Sequence, residues 1–334
     1  MSDNQAGRPF FCIYKKGGAQ IIAKKPESKN VTIIDSAERM PATTMTNAAR
    51  TNMTREAAEN PVIEDIRSYS VKIKIIFSSA AQRYRSGSTL WLTDRMDAVL
   101  AMCKASASYL HRKPDAVIYH GVKTDVYIPP ESKEAAWKAL NLLPKSANKG
   151  KHGIAILGRV REQKGVHLFV RSCIALLDKY PDYTAVIVGS ISSSNERFVQ
   201  ELQAEIEKAG LAERIIFAGE QNFADIPKIF SALSLVVALS DNEGFGLTIL
   251  EAMSSEAAVL ASEAGAWPEV VRAGEDGYVV PVNDLAAVVD KMDLLLSDQE
   301  KLIQMGVNGR ERVLEHYSVQ REAKQLVDFY RSLM

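Results

Sequence analysis

Cysteine is scarce in this chain. Its 334 residues hold three, Cys12, Cys103 and Cys173, far apart and without metal-ligand spacing. That excludes a disulfide framework and a cysteine-based zinc site, and fits buried or inert thiols in a reducing compartment. Net charge is also missing: 41 basic residues balance 41 acidic ones, which removes the electrostatic case for nucleic acid as a partner. No apolar stretch approaches the length of a membrane span. The opening MSDNQAGRPF lacks the basic start and apolar core of a secretion signal. The expectation is a cytoplasmic protein, with room for contact with a membrane from that side. The five histidines are His111, His120, His152, His167 and His316, so the first 110 residues contain none. What remains is an ordinary globular composition, 46% hydrophobic and 25% charged, in a length that suits about two domains.

The most informative stretch is Asp241-Asn-Glu-Gly-Phe-Gly-Leu-Thr-Ile-Leu-Glu251. Before it, Leu235-Val-Val-Ala-Leu239 reads as a buried parallel strand. After Gly244 and Gly246 a helix is expected from Leu247 to Ser254. A strand, a glycine turn and a helix start together build an anion site, because exposed N–H groups meet the positive end of the helix dipole. Glu243 and Glu251 flank that site. Acids beside a phosphate cradle make sense when they bind hydroxyls, since an ionised carboxylate only accepts hydrogen bonds. A phosphate flanked by polyols describes a nucleotide sugar. The bland reading of the same stretch is a strand-to-helix turn with surface glutamates.

The rest of the chain supplies the context. Short strands are expected at Phe10–Tyr14 and Val31–Ile34, with Lys16-Gly17-Gly18 as a turn and a polar run from Pro41 to Asn60. Val71–Phe77 alternates as a strand, though an amphipathic helix is also compatible. Its lysines either meet anionic lipid headgroups or form a solvated face. Helices are expected at Gly87–Arg95 and Lys104–Leu110, and strands at Asp97–Met102 and Ala116–Tyr119. From residue 152 a strand-helix alternation runs to about 312, which means a parallel sheet covered on both faces. Gly158-Arg159, Gly189-Ser190, Gly219-Glu220, Ser240 to Gly246 and Ser262 to Gly265 each follow a strand, where ligands bind in such sheets. Gly158-Arg-Val-Arg-Glu-Gln-Lys-Gly165 is not a Walker loop, because it lacks GxxxxGK[ST]. Helices are expected from Asp284 to Leu296, from Gln299, and from Val319 to Leu333.

The pair of glutamates with seven residues between them, with its Gly-aromatic-Gly-Leu start, resembles the signature of the retaining glycosyltransferases of family four. His120-Gly-Val-Lys-Thr-Asp125 with Tyr127 and Pro129-Pro130 is similar to that family's "NGVD…F.P" segment, histidine replacing asparagine. Ala264-Gly-Ala-Trp-Pro-Glu269 resembles its "GGxPE" turn and His316-Tyr-Ser318 its "F/YS" turn. The resemblance implies an α/β architecture of the GT-B type, with two Rossmann-like domains. The expected layout is an acceptor domain over 1–118, an interdomain segment over 119–150, a nucleotide-sugar domain over 151–312, and a terminal helix over 313–334 that crosses back. The likeness covers residues from about 65 onward and fails before that. The N-terminal half looks too short for a complete Rossmann domain, so an incomplete or divergent one is expected there.

By the same resemblance Arg159 and Lys164 grip the donor diphosphate, with Arg161 as the alternative arginine. Glu243 takes a hydroxyl of the donor sugar and Glu251 the ribose hydroxyls. Phe245, Gly246 and Leu247, behind Gly244, offer amides to the distal phosphate, Gly189, Ser190 and the stretch 217–219 border the base, and Gly158 is a further donor-binding residue. His120 is either a ligand contact or structural, and Trp267 either packs or stacks on sugar. No metal or other cofactor is expected, in keeping with the lack of an Asp-x-Asp in a plausible loop. Retention is implied through front-face attack, the leaving phosphate helping to deprotonate the acceptor. Ser78–Arg83, Arg95–Val99 and Gly158–Gly165 look like bacterial lipopolysaccharide-core mannosyltransferases, which implies GDP-mannose as donor and a lipid-linked saccharide as acceptor. A UDP- or ADP-sugar donor stays open, as does a donor-binding but catalytically weak protein.

Overall fold

The structure, a computed structural model, describes residues 93–144 and 147–333 together with the strands at 32–35 and 74–78. The expected strand Phe10–Tyr14, the turn Lys16–Gly18, the polar run 41–60, most of the helix Gly87–Arg95 and positions 79–83 of the Ser78–Arg83 motif lie outside the described residues. Two compact units emerge, Met1–Tyr119 with Glu322–Met334, and His120–Arg321.

The first unit carries a parallel sheet in the order β1 (Thr32–Asp35), β2 (Lys74–Ser78), β3 (Ala98–Ala101), β4 (Ala116–Val117). Helix α1 (Lys104–Ser108) follows β3 and is capped by Cys103, whose Sγ accepts from the Ser106 amide at 3.3 Å. Cys103 therefore has a structural use, as its burial suggests. The strand Asp97–Met102 read from the sequence is β3, all four residues of which are buried.

The second unit begins, after the segment 120–132, with α2 (Lys133–Ala139). It then alternates: β5 (His152–Leu157), α3 (Val166–Leu176), β6 (Tyr183–Val188), α4 (Glu196–Lys208), β7 (Ile215–Gly219), α5 (Ile226–Ala232) and β8 (Leu233–Ala238). The second half continues with α6 (Leu247–Ser254), β9 (Ala258–Ser262), the single turn α7 (Trp267–Val270), β10 (Gly277–Val280), α8 (Leu285–Leu296) and α9 (Gln299–His316); the last helix, α10 (Val319–Ser332), belongs to the first unit from Glu322 onward. The sheet runs β10-β9-β8-β5-β6-β7, every pair parallel. Read from β7 inward this is the doubly wound order 3-2-1-4-5-6, which reverses between β5 and β8.

The residue pattern explains the two-sided cover. Strands β6 and β9 are buried at every position, as their largely apolar sequences, broken only by Thr184 and Ser262, suit. Ile154, Ile156, Ala185, Ile187, Leu235 and Val237 share one face and join Phe169, Cys173, Leu202, Val288 and Met292 of α3, α4 and α8 in one core cluster. On the other face Trp137 of α2 lies over β5 at Gly153, where a Cβ would come within 2.5 Å of the indole. Its Nε1 donates to the Gly150 carbonyl at 2.9 Å, so a fully buried indole has its polar atom satisfied.

One boundary differs from expectation. The apolar spacing predicts a helix over His167–Tyr180, yet α3 stops at Leu176. Leu177–Tyr180 tighten into a turn in which the Tyr180 amide bonds the Leu177 carbonyl at 3.1 Å, and the Tyr180 hydroxyl reaches Asp293 of α8 at 2.7 Å. In the first unit Leu326, Phe329, Tyr330 and Leu333 of the terminal segment pack with Ala98, Leu100 and Ile118.

Trp137→Ala should destabilise the second unit by about 3–5 kcal/mol, the usual cost of emptying an aromatic site. A denaturant midpoint shift, read with the transition of the His120–Arg321 unit, checks this; a shift below about 1 kcal/mol would mean that α2 does not anchor on β5.

Candidate active site

The loops that leave β5 and β8 meet over the point where the strand order reverses. In the first loop, backbone bonds hold both sides of Arg159: the Gly158 amide donates to the Val188 carbonyl and the Val160 amide to the Ser190 carbonyl, each at 2.9 Å. Arg159 itself is exposed at the strand end. Gly189 and Ser190 end the neighbouring β6, and the Gly189 amide donates to the Gly219 carbonyl at 2.9 Å. One short helical turn, Glu162–Lys164, brings the loop back to α3. There the Asp241 amide of the second loop donates to the Gln163 carbonyl at 3.0 Å, which ties the two loops together.

The side chains complete that tie. Lys164 Nζ donates to Oε2 of Glu243 at 2.5 Å, and both side chains are about three-quarters buried. The Ser240 hydroxyl approaches the same oxygen at 3.4 Å, while the Ser262 hydroxyl donates to the Ser240 carbonyl at 2.6 Å. Two of the residues assigned from the sequence to one ligand, Lys164 and Glu243, are thus in contact. Arg161, the alternative arginine, is half-buried, and its Nε has no hydrogen-bond partner among the described residues.

Helix α6 opens without a side-chain cap. Its N-cap is Gly246, with φ +83°. A Cβ there would meet both that backbone constraint and the Trp267 Nε1 at 2.3 Å, so only glycine fits. The first N–H groups of α6, beginning at Leu247, therefore form a donor cluster at the positive end of a helix. Trp267 is buried, and its Nε1 donates to the Gly246 carbonyl at 3.0 Å. The alternative left open for Trp267 resolves to packing: it is the wall behind the turn. Arg312 of α9 holds that wall, bonding the carbonyls of Val270 at 2.6 Å and Glu269 at 3.1 Å. Phe245 is buried beside Gly244, with the His120 ring edge-on at 5.1 Å. His120 therefore packs on the turn.

Glu251 lies one turn into α6 and accepts at Oε1 from the Tyr127 hydroxyl at 3.0 Å. Burial first, and the Glu251 carboxylate second, push the Tyr127 phenol well above its usual range, so it stays a proton donor. At the far end of α6, Lys133 Nζ donates to the Ser255 carbonyl at 2.7 Å and the Ser231 carbonyl at 3.0 Å. A cation at that end complements the helix dipole. Burial lowers its pKa to about 7, against the opposing pull of Glu256.

The sequence reading missed the partners of these groups. Tyr127 stood in a segment matched for its ring and prolines, and its hydroxyl was the signal available. Ser240, Ser262 and Lys133 carried no motif at all. The stretch 217–219, placed near the base, forms the end of β7, two strands from β5 in the sheet.

A double-mutant cycle on Lys164→Met and Glu243→Gln should show a coupling of about 1 kcal/mol in urea unfolding, between the values for exposed and buried pairs. Additive single effects would mean that the ion pair does not hold the two loops together.

Known proteins share the sequence and the fold of this chain. The family described as "Glycosyl transferases group 1" covers residues 116–312. The chain is 41% identical over 266 residues to the lipopolysaccharide core biosynthesis mannosyltransferase LpsB of Rhizobium meliloti (strain 1021), spanning 79% of this chain and 74% of that one. It is 40% identical over 262 residues to the corresponding LpcC of Rhizobium leguminosarum bv. viciae, spanning 78% and 72%. Among solved structures, the C-terminal domain of a glycosyl transferase group 1 family protein (LpcC) from Francisella tularensis superposes with TM-score 0.56 at 40% identity, covering 60% of this chain and all of that one. The Anabaena Alr3699/HepE structure in complex with UDP and glucose shares the fold, with TM-score 0.68 at 24% identity, covering 81% and 75%. With the doubly wound sheet, these likenesses establish the expected α/β architecture of the GT-B type, and the chain belongs to the group 1 glycosyltransferases.

Proposed function

We propose that this chain transfers mannose, with retention, from GDP-mannose to a lipid-linked lipopolysaccharide-core saccharide. The observation that carries the reading is the contact between Lys164 and Glu243 at the open N-terminus of α6. It joins a cation for phosphate and an acceptor for a sugar hydroxyl within one pair. The names of the two rhizobial relatives support mannose and the core acceptor. An acceptor of that kind brings the enzyme to the cytoplasmic membrane surface.

Donor entry re-sorts the pair. The diphosphate takes Lys164, with Arg159 and the amides of Phe245, Gly246 and Leu247, and Glu243 turns from the ammonium to a sugar hydroxyl. Glu251 accepts from the ribose, Gly189 and Ser190 border the base, and Gly158 is a further donor-binding residue. The bond from the sugar C1 to the phosphate oxygen breaks as the acceptor hydroxyl attacks on the same face. Its proton passes to the departing phosphate, leaving an α-mannoside and GDP. Two cations and a helix terminus neutralise the growing diphosphate charge, a role that metal ions fill elsewhere.

The test is a transfer assay of the full chain with core-lipid acceptor and radiolabelled GDP-mannose, UDP-glucose, UDP-galactose and ADP-glucose. Label should pass from GDP-mannose, and the product should be an α-mannoside by NMR. Transfer from another donor only, or a β-linked product, overturns the donor or the retaining assignment respectively. Lys164→Ala should lower kcat more than donor affinity, because the diphosphate charge grows toward the transition state. Equal kcat at saturating donor would reduce Lys164 to a ground-state contact. Glu251→Ala should weaken nucleoside diphosphate binding by about 1.5–3 kcal/mol, the scale of a hydrogen bond to a charged group. Unaltered calorimetric affinity in a folded variant would refute the ribose role.

A further inference from the structure

Tyr127 is held along its whole length. Its carbonyl accepts from the Ser254 hydroxyl at 2.7 Å and from Arg310 Nη1 at 3.1 Å. Its ring meets the Phe230 ring edge-on at 5.7 Å. Its hydroxyl donates to Glu251 Oε1 at 3.0 Å. Ser254 and Glu251 are three residues apart on α6 and so share a helix face. The tyrosine therefore lies along that face, pinned at the helix end by its backbone and one turn earlier by its phenol. Arg310 also bonds the Ser254 carbonyl, which fixes the same corner from α9.

We propose that Tyr127 is a positioning residue of the donor site, its phenol setting the Glu251 carboxylate in the orientation that receives the ribose hydroxyls. This rests on the reading of Glu251 as the ribose acceptor. A glutamate side chain has three rotatable bonds, and an unguided carboxylate must lose that freedom when the nucleotide binds. The bond to Tyr127 removes part of it beforehand. It occupies one acceptor direction on Oε1, and an ionised carboxylate has about four in all, enough to take hydroxyl donors as well.

The prediction is specific to the ribose. Calorimetric titrations would use whichever of GDP, UDP and ADP binds most tightly, together with 2′,3′-dideoxy analogues of it, which lack both hydroxyls. The wild-type chain should prefer the ribonucleotide. In Tyr127→Phe, which keeps the ring and its packing, that preference should shrink about 3- to 10-fold, the factor that corresponds to one net hydrogen bond. The deoxy analogues should bind the variant and the wild type alike. A loss of the same size for ribo and deoxy forms would make Tyr127 merely structural, and an unchanged preference would remove it from the site; either result overturns the proposal. A wild-type chain without any ribose preference would instead sink the Glu251 reading, and the proposal with it, before any variant is made. A second comparison covers a poorly folding Tyr127→Phe. Glu251→Gln alone should reduce the ribose preference, and Ser254→Ala, which loosens the tyrosine from its other end, should reduce it in the Glu251 background but not in Glu251→Gln. Equal effects of Ser254→Ala in both backgrounds would contradict a route through the carboxylate.

Discussion

Between β5 and β8 the chain leaves the sheet toward opposite faces, and the rest of the second unit depends on that divergence. Helix α3, after β5, packs with α4 and α8; helix α6, after β8, packs with α5 and α9. Adjacent strands whose helices part in this way leave a crevice at their carboxyl ends. A parallel sheet then orients what fills it, since each strand ends on the same side. Gly158-Arg159, Gly189-Ser190 and Ser240–Gly246 all reach that rim for this one reason. The packing elsewhere serves to hold it: Trp137 on β5 from one face, and Trp267 with Arg312 behind the turn into α6.

The crevice holds opposite charges in a fixed order. A cation-rich loop follows β5, an uncapped helix start follows β8, and two carboxylates stand at either side of that start. Alone, each carboxylate would oppose an anionic ligand. Paired, each has a partner: Glu243 has Lys164 and Ser240, and Glu251 has Tyr127. Such partners orient partly buried carboxylates, at a smaller cost than an unpaired charge would carry. The two pairs differ in kind. A salt bridge to a flexible lysine can exchange when phosphate arrives, whereas a bond to an immobilised phenol persists.

Much of this was legible in the sequence, for identifiable reasons. The strands β5 to β9 are apolar runs closed by glycine or serine, so period and punctuation agree. The turn into α6 announced itself through Gly244 and Gly246, and the positive φ at Gly246 is the demand that the glycine answers. The end of α3 was less legible, because Leu177 continues the apolar spacing while Tyr180 is drawn off to Asp293. Least legible were pairings between distant positions. Lys164 and Glu243 are 79 residues apart and Tyr127 and Glu251 are 124 apart, and no local period encodes such contacts. Family likeness named three of these four side chains as donor contacts without placing any against its partner. Trp267, open on sequence grounds, resolved to packing once the turn it lies behind was visible. The early part of the chain gave only weak periodicity, and there the sequence remained a list of short apolar runs.

In the proposed function the diphosphate of the donor sits where the β5 and β8 loops meet. Hydrogen exchange of the full chain, with and without saturating GDP, UDP or ADP, tests it directly, because the site is built largely from backbone amides. Binding should slow exchange in residues 158–165 and 240–251, most strongly at Phe245, Gly246 and Leu247, and leave α4 and the edge strand β10 unchanged. Protection that spares both loops while a nucleotide is bound elsewhere on the chain would contradict the account.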